Sequence, residues 1–161
     1  MKAGAANIPK LVGYNCFACG TENPIGLNLH FRKDREYVCA DITLGKNYEG
    51  WENMAHGGIV STLLDEIMSW TVIYFKKVFF VTRNMEVKFR RPVPVNQVIT
   101  VKGKIAKCDS NRMISAESMI QDKDENILAR GRATFAILHD KDLHLVSNKL
   151  KQDMKMLFDS F

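Results

Sequence analysis

The chain has 161 residues, which fits one domain with a real core and leaves little room for two. Apolar residues make up 46% and charged residues 25%, an ordinary balance for a soluble globular protein. The net charge of +5 suits an anionic, phosphate-bearing ligand, with ordinary solvated surface as the competing reading. Nucleic acid is not expected as a partner, since basic residues cluster only in pairs and no zinc-finger or RNP-type pattern occurs.

The start, "MKAGAANIPKLVGYN", has no apolar region followed by a small-residue cleavage site, so no export signal is expected. The most apolar stretch, Ile59 to Phe75, is short and carries Asp65 and Glu66, which argues against a membrane span. Both readings point to the cytoplasm. Residues 1–24 read as irregular, with Gly13, Gly20 and the Asn23-Pro24 pair as breakers. Within them Cys16 and Cys19 form a CxxC pair in "NCFACG". A structural zinc site needs a second such pair or Cys/His partners at short spacing, and His30, His56, His139 and His144 are scattered. A redox motif would follow a strand and open a βαβ unit, and neither is read here. Reduced, partly buried thiols are therefore expected, with no metal and no cofactor.

"GLNLHF" alternates and puts Leu27, Leu29 and Phe31 on one face. "KDRE" reads as a turn, and "YVCADITL" answers as the second strand of a hairpin. A polar, aromatic loop from Gly45 to Ala55 leads into "HGGIVSTLLDEIMSW", which reads as a long buried helix. Period two then returns in "MEVKFRRP", "VITVKGKIAKC", "MISAESMIQ" and "ILARGRATFAIL", with turns at "DSNR" and "DKDEN" between the last three. After His139 comes a polar turn. An amphipathic helix over 143–161 follows, with Val146, Leu150, Met154, Leu157 and Phe161 at spacings of three and four. Short turns make consecutive strands antiparallel, and one helix among them must bury its apolar face on their sheet. The fold class is α+β.

On a helical wheel, Ile59, Val60, Leu63, Leu64, Ile67, Met68, Trp70 and Ile73 span a broad apolar arc. Ser61, Thr62, Asp65 and Ser69 form a narrow polar stripe opposite. Asp65 is thus expected to leave the core, with Glu66 at the arc's edge. Gly57 and Gly58 fall at the first turn, where unpaired N–H groups meet the positive end of the helix dipole. Such a turn can polarise a carbonyl and hold the oxyanion it becomes. With a carboxylate on the polar stripe, this makes acyl-group chemistry possible, although a glycine turn and a solvated Asp are also common in helices with no such role.

"HGGIVSTLLDE", preceded by "YEGW" and followed by "TRNMEVKFRRPVPVNQ", resembles the HotDog-fold acyl-CoA thioesterases, in the branch of the phenylacetate-pathway and thioesterase-superfamily enzymes. "CFACGTENPIGLNLHF" resembles the N-terminal segment of bacterial members, and the similarity runs from about residue 14 to residue 138. The resemblance implies a curved antiparallel sheet wrapped around one long helix, here over 1–161 with an added C-terminal helix. It further implies a homodimer or a dimer of dimers, with active sites at the dimer interface and an acyl-CoA substrate. Residue by residue, Gly58 matches the glycine whose N–H polarises the thioester carbonyl. His56 matches the His that orients that turn, Asp65 the catalytic carboxylate offered by the other subunit, and Thr82 a residue that positions the attacking water.

Asn53 stands where a glycine is commoner, and it either lines the site or is a loop residue. Gly57 and Glu66 are secondary site candidates. For the CoA phosphates the candidates are Lys88, Arg90, Arg91, Arg130 and Arg132, with ordinary strand-exterior charge as the competing reading. Trp51, Met54, Trp70 and Phe79 either line the acyl pocket or belong to the core. A non-catalytic acyl-CoA-binding protein and a HotDog dehydratase or hydratase are the rival functions, and neither would free CoA.

Overall fold

A computed structural model describes residues 6–109 and 112–161. Strands β1 (Ala6–Ile8), β2 (Phe31–Asp34) and β3 (Tyr37–Thr43) come before helix α1 (Gly57–Lys76). Strands β4 (Phe80–Phe89), β5 (Val98–Asp109), β6 (Met113–Gln121) and β7 (Ile127–Ile137) follow it, and α2 (Asn148–Asp159) closes the chain. The strands form one curved seven-stranded sheet in the order β1-β2-β3-β5-β6-β7-β4, with antiparallel neighbours.

The order places β4, the strand that directly follows α1, at the sheet's edge beside β7. α1 has the length and composition of a membrane-crossing helix, and here it is the helix that the sheet wraps. Its arc packs chiefly against β5 and β6, and Leu63, Leu64, Ile67 and Met68 are fully withdrawn from water. Each such side chain stabilises the fold by about 1.5–3 kcal/mol relative to exposure. Two glycines let the helix come this close. A Cβ on Gly103 of β5 would lie 2.6 Å from Thr71 Oγ1, and one on Gly131 of β7 would lie 3.2 Å from Leu64 Cβ. Along β7 the expected alternation holds: Ala129, Gly131, Ala133 and Phe135 are buried while Arg130 and Arg132 are exposed.

Several boundaries differ from the sequence reading. Leu27, Leu29 and Phe31 are all buried as expected, but the strand begins only at Phe31. Upstream of it, Asn28 has a left-handed φ of 47°, and the Leu27 and Leu29 amides bond back to the carbonyls of Phe17 and Ala18. Those bonds belong to a loop, not to a ladder. The segment expected to be irregular contains β1, which pairs with β2 through Ala6, Asn7 and Ile8. The strand expected from Met85 starts five residues earlier, at Phe80. The last helix begins at Asn148 because Ser147 caps it, accepting from the Leu150 amide at 3.1 Å; residues Asp140–Leu145 form a 3-10 turn instead. Of the turn expected at "DSNR", Ser110 and Asn111 lie outside the described residues.

Candidate active site

α1 opens with His56 as its N-cap, in extended backbone (φ −60°, ψ 138°). The His56 Nδ1 accepts the Gly58 amide proton at 2.9 Å, which makes Nδ1 the unprotonated ring nitrogen in this geometry. Gly58 N–H, the donor expected to meet a substrate carbonyl, is therefore already used by the cap. The reason is geometric: an N-cap side chain reaches the amide two or three residues on. Gly57 N–H, one residue earlier, has no hydrogen-bond partner among the described residues. It lies at the positive end of a 20-residue helix.

Asp65 lies two turns further on, partly buried. Its Oδ1 accepts from Thr82 Oγ1 at 3.0 Å, tying α1 to the edge strand β4. The register of β4 slips at Arg83, a bulge of the kind that re-aims neighbouring side chains, here next to Thr82. Burial pushes the Asp65 carboxyl above the usual carboxylate range, and the Thr82 hydroxyl opposes that shift. Between Gly57 and Asp65 lie eight helical steps, about 12 Å at 1.5 Å each.

Glu66 points elsewhere. Burial raises its carboxyl to about 7, and Oε1 accepts from Trp70 Nε1 at 3.0 Å. Cys16 Sγ lies 3.9 Å from the same oxygen. The wheel separated the two carboxylates correctly, but it had no means of identifying the partners of Glu66. Trp70 itself is core, 4% exposed and stacked on Phe31 at 4.4 Å between ring centres.

A cleft of about 360 Å³ opens beside the helix start, lined in part by Trp51, Met54, Gly57, Phe89, Arg90 and Arg91. Trp51 stands at 80% exposure there, while Phe79 lies apart and packs edge-on against Phe158 of α2. The structure splits the candidate phosphate-binding residues between two places. Arg90 and Arg91 reach the cleft. Lys88, Arg130 and Arg132 line a separate groove on the sheet, where Arg132 pairs with Glu117 and Lys88 with Glu86 at 3.2 Å. Asn53 is not among the cleft residues. Its left-handed φ of 63° is one that Asn tolerates and most side chains avoid, which accounts for a residue replacing glycine there.

A long helix held in a curved antiparallel sheet, with a glycine turn at its start, defines a HotDog-fold protein. Residues 52–125 match the sequence pattern of the thioesterase superfamily. A thioesterase superfamily protein of known structure superimposes with a TM-score of 0.67 at 23% identity, covering 71% of this chain and 56% of that one. A hypothetical thioesterase from Streptococcus pneumoniae, solved with coenzyme A, gives a TM-score of 0.63 at 20% identity, over 69% of this chain and 86% of its own. In sequence, verlamelin biosynthesis protein B of Lecanicillium sp is 28% identical over 122 residues, covering 58% of this chain and 53% of that protein. The chain thus spans about half the length of this curated relative and of the first structural one.

Proposed function

We propose that the protein hydrolyses an acyl-CoA thioester to the free acid and CoA, as a homodimer whose two sites are each built from both chains. The observation that carries this reading is the pair of groups on α1: a free Gly57 N–H at the cleft and a partly desolvated Asp65 held by Thr82, eight helical steps further along. Neither half is a complete hydrolytic site, and a second copy joined at the β4 edge supplies the missing one. The coenzyme A bound to the Streptococcus pneumoniae relative supports the ligand class.

In this mechanism the thioester carbonyl enters the cleft and its oxygen accepts from Gly57 N–H of one protomer. Asp65 of the partner takes a proton from water, Thr82 holds that carboxylate in place, and the water oxygen attacks the carbonyl carbon. Negative charge gathers on the carbonyl oxygen, where the amide and the helix dipole stabilise it. The carbon–sulfur bond then breaks, and the CoA sulfur takes up the proton from Asp65. Burial matters because an ordinary exposed carboxylate is a weak base, and partial desolvation strengthens it. Arg90 and Arg91 at the cleft are the cations for the CoA phosphates. Lys88 and Arg132, already facing carboxylates, contribute less.

The deciding assay measures CoA release from short, long-chain and aromatic acyl-CoA substrates. Asp65→Asn is expected to lower kcat by about 10²–10⁴-fold while the fold is retained. No CoA release by the wild type from any substrate class would favour an acyl-CoA-binding or hydratase role instead.

A further inference from the structure

Cys16, Cys19 and Glu66 come from a loop and from the central helix, 50 residues apart in the chain at their widest, yet their ligand-type atoms all lie within 4.8 Å of one another. The hydrolytic reading uses none of them. We propose that these three side chains form a thiolate–carboxylate site for one divalent zinc-like cation, with the fourth position open to solvent beside Cys16.

The donor set fits such an ion. Two cysteines and a carboxylate suit borderline-soft Zn²⁺, and three protein ligands with one open position is a common zinc arrangement. Tetrahedral Zn²⁺ needs its donors roughly 3.5–3.8 Å apart, so a contraction of about 1 Å at the widest pair closes the shell. The loop is built to hold the sulfurs. The Gly20 amide donates to the Cys16 carbonyl at 2.8 Å, closing the turn that carries both cysteines. A Cβ on Gly20 would lie 2.5 Å from Cys16 N, so the turn requires glycine.

The loop is anchored from outside as well. The Leu27 and Leu29 amides bond to the carbonyls of Phe17 and Ala18, and Lys10 Nζ donates to the carbonyls of Cys19 and Leu29 at 2.9 Å each. Opposite, Trp70 Nε1 fixes Glu66 at 3.0 Å, the kind of outer partner that orients a metal ligand. Charge balance agrees. Two thiolates and one carboxylate around a divalent cation leave a single net negative charge, and Lys10, close enough to interact with all three ligands, supplies the positive one. The ion would pin the N-terminal loop to α1 one residue from Asp65, on a different face of the helix.

Full-length protein, reduced and stripped with a chelator, is titrated with Zn²⁺ and separately with Co²⁺. One Zn²⁺ per chain, a Zn²⁺-dependent rise in Tm, and thiolate-to-Co²⁺ charge-transfer absorption with the intense visible bands of a tetrahedral site are expected. Cys19→Ser and Glu66→Gln each weaken binding at least about tenfold, whereas Cys108→Ser leaves it unchanged. If a variant fails to fold, the Co²⁺ spectrum of the wild type decides alone. The proposal is overturned if reduced wild type shows neither charge-transfer bands nor a Tm shift. Binding that survives in the Cys16→Ser/Cys19→Ser double variant, or a Cys16–Cys19 disulfide as the pair's only chemistry, overturns it too. None of these readouts depends on acyl-CoA hydrolysis.

Discussion

His56 Nδ1 holds the Gly58 amide at 2.9 Å, and that bond leaves Gly57 N–H as the free donor one residue earlier. A donor that keeps its cap partner cannot also stabilise an oxyanion. Gly58, expected to meet the carbonyl, instead closes the helix start, and Gly57 lines the cleft.

Gly57→Pro isolates the free amide. Proline suits the first helical position, and the extended backbone of His56 is what a residue before proline adopts. A Cβ there meets only the Phe89 ring, at an ordinary 3.6 Å. The variant is expected to fold with α1 intact and to lose about 10²–10³ in kcat, as seen when one oxyanion donor is removed. Wild-type kcat in a folded Gly57→Pro protein would eliminate this donor.

His56→Ala removes the cap instead. It is expected to cost about 1 kcal/mol in chemical denaturation, the usual worth of an N-cap. CoA release should fall less than in Gly57→Pro, since the amide remains. An equal loss in both variants would mean that the ring itself takes part in the chemistry.

Thr82→Val takes a hydrogen-bond donor from Asp65. The bond lowers the Asp65 pKa against the upward push of burial, so its loss lets that pKa rise. A general base works only when ionised, so activity is lost as pH falls through its pKa. The acid limb of the kcat/KM profile should therefore move to higher pH in the variant, with kcat at pH 8 lower by about tenfold. A limb that stays in place would separate Thr82 from the Asp65 titration.

The proposed site shared between protomers predicts complementation. Asp65→Asn and Gly57→Pro, each inactive alone, should regain activity when unfolded and refolded together, because a mixed dimer contains one site with both native groups. Random pairing puts about half of all dimers in the mixed form, each with one working site of two, so recovery should approach roughly a quarter of wild type. β4 is the exposed edge, and Val81 on it is 50% exposed. Val81→Arg should shift sedimentation to a monomer and abolish CoA release together. Absence of any recovery in the mixed sample would return both groups to a single chain.

Asp153 of α2 accepts from Tyr14 Oη at 2.6 Å and from Lys149, which holds its carboxyl below the ordinary value. A depressed carboxylate pKa contributes stability above the unfolded value and loses it as pH falls through the folded one. Asp153→Asn should therefore lower Tm modestly at pH 7, and the difference should narrow as pH falls below the ordinary carboxylate range. A Tm gap that persists in acid would mean that the substitution acts through packing.

Periodicity made much of this protein readable in advance. Period-two runs marked β4 to β7, the wheel set Asp65 apart from the arc of Leu63, Leu64 and Ile67, and the alternation in β7 turned Arg130 and Arg132 away from the helix. A repeat of 2.0 or 3.6 reports which face of its own element a residue occupies. It does not report what lies opposite that face. The Thr82 hydroxyl on Asp65 and the meeting of Glu66 with Cys16 and Cys19 each depend on how far the chain closes on itself. The separation of Arg90 and Arg91 from Lys88, Arg130 and Arg132 arose in the same way, from where β4 ends at the helix start while β7 crosses the sheet. Local pattern is written in adjacent residues, whereas these pairings cross 17 to 50 positions and are set only when the sheet wraps α1.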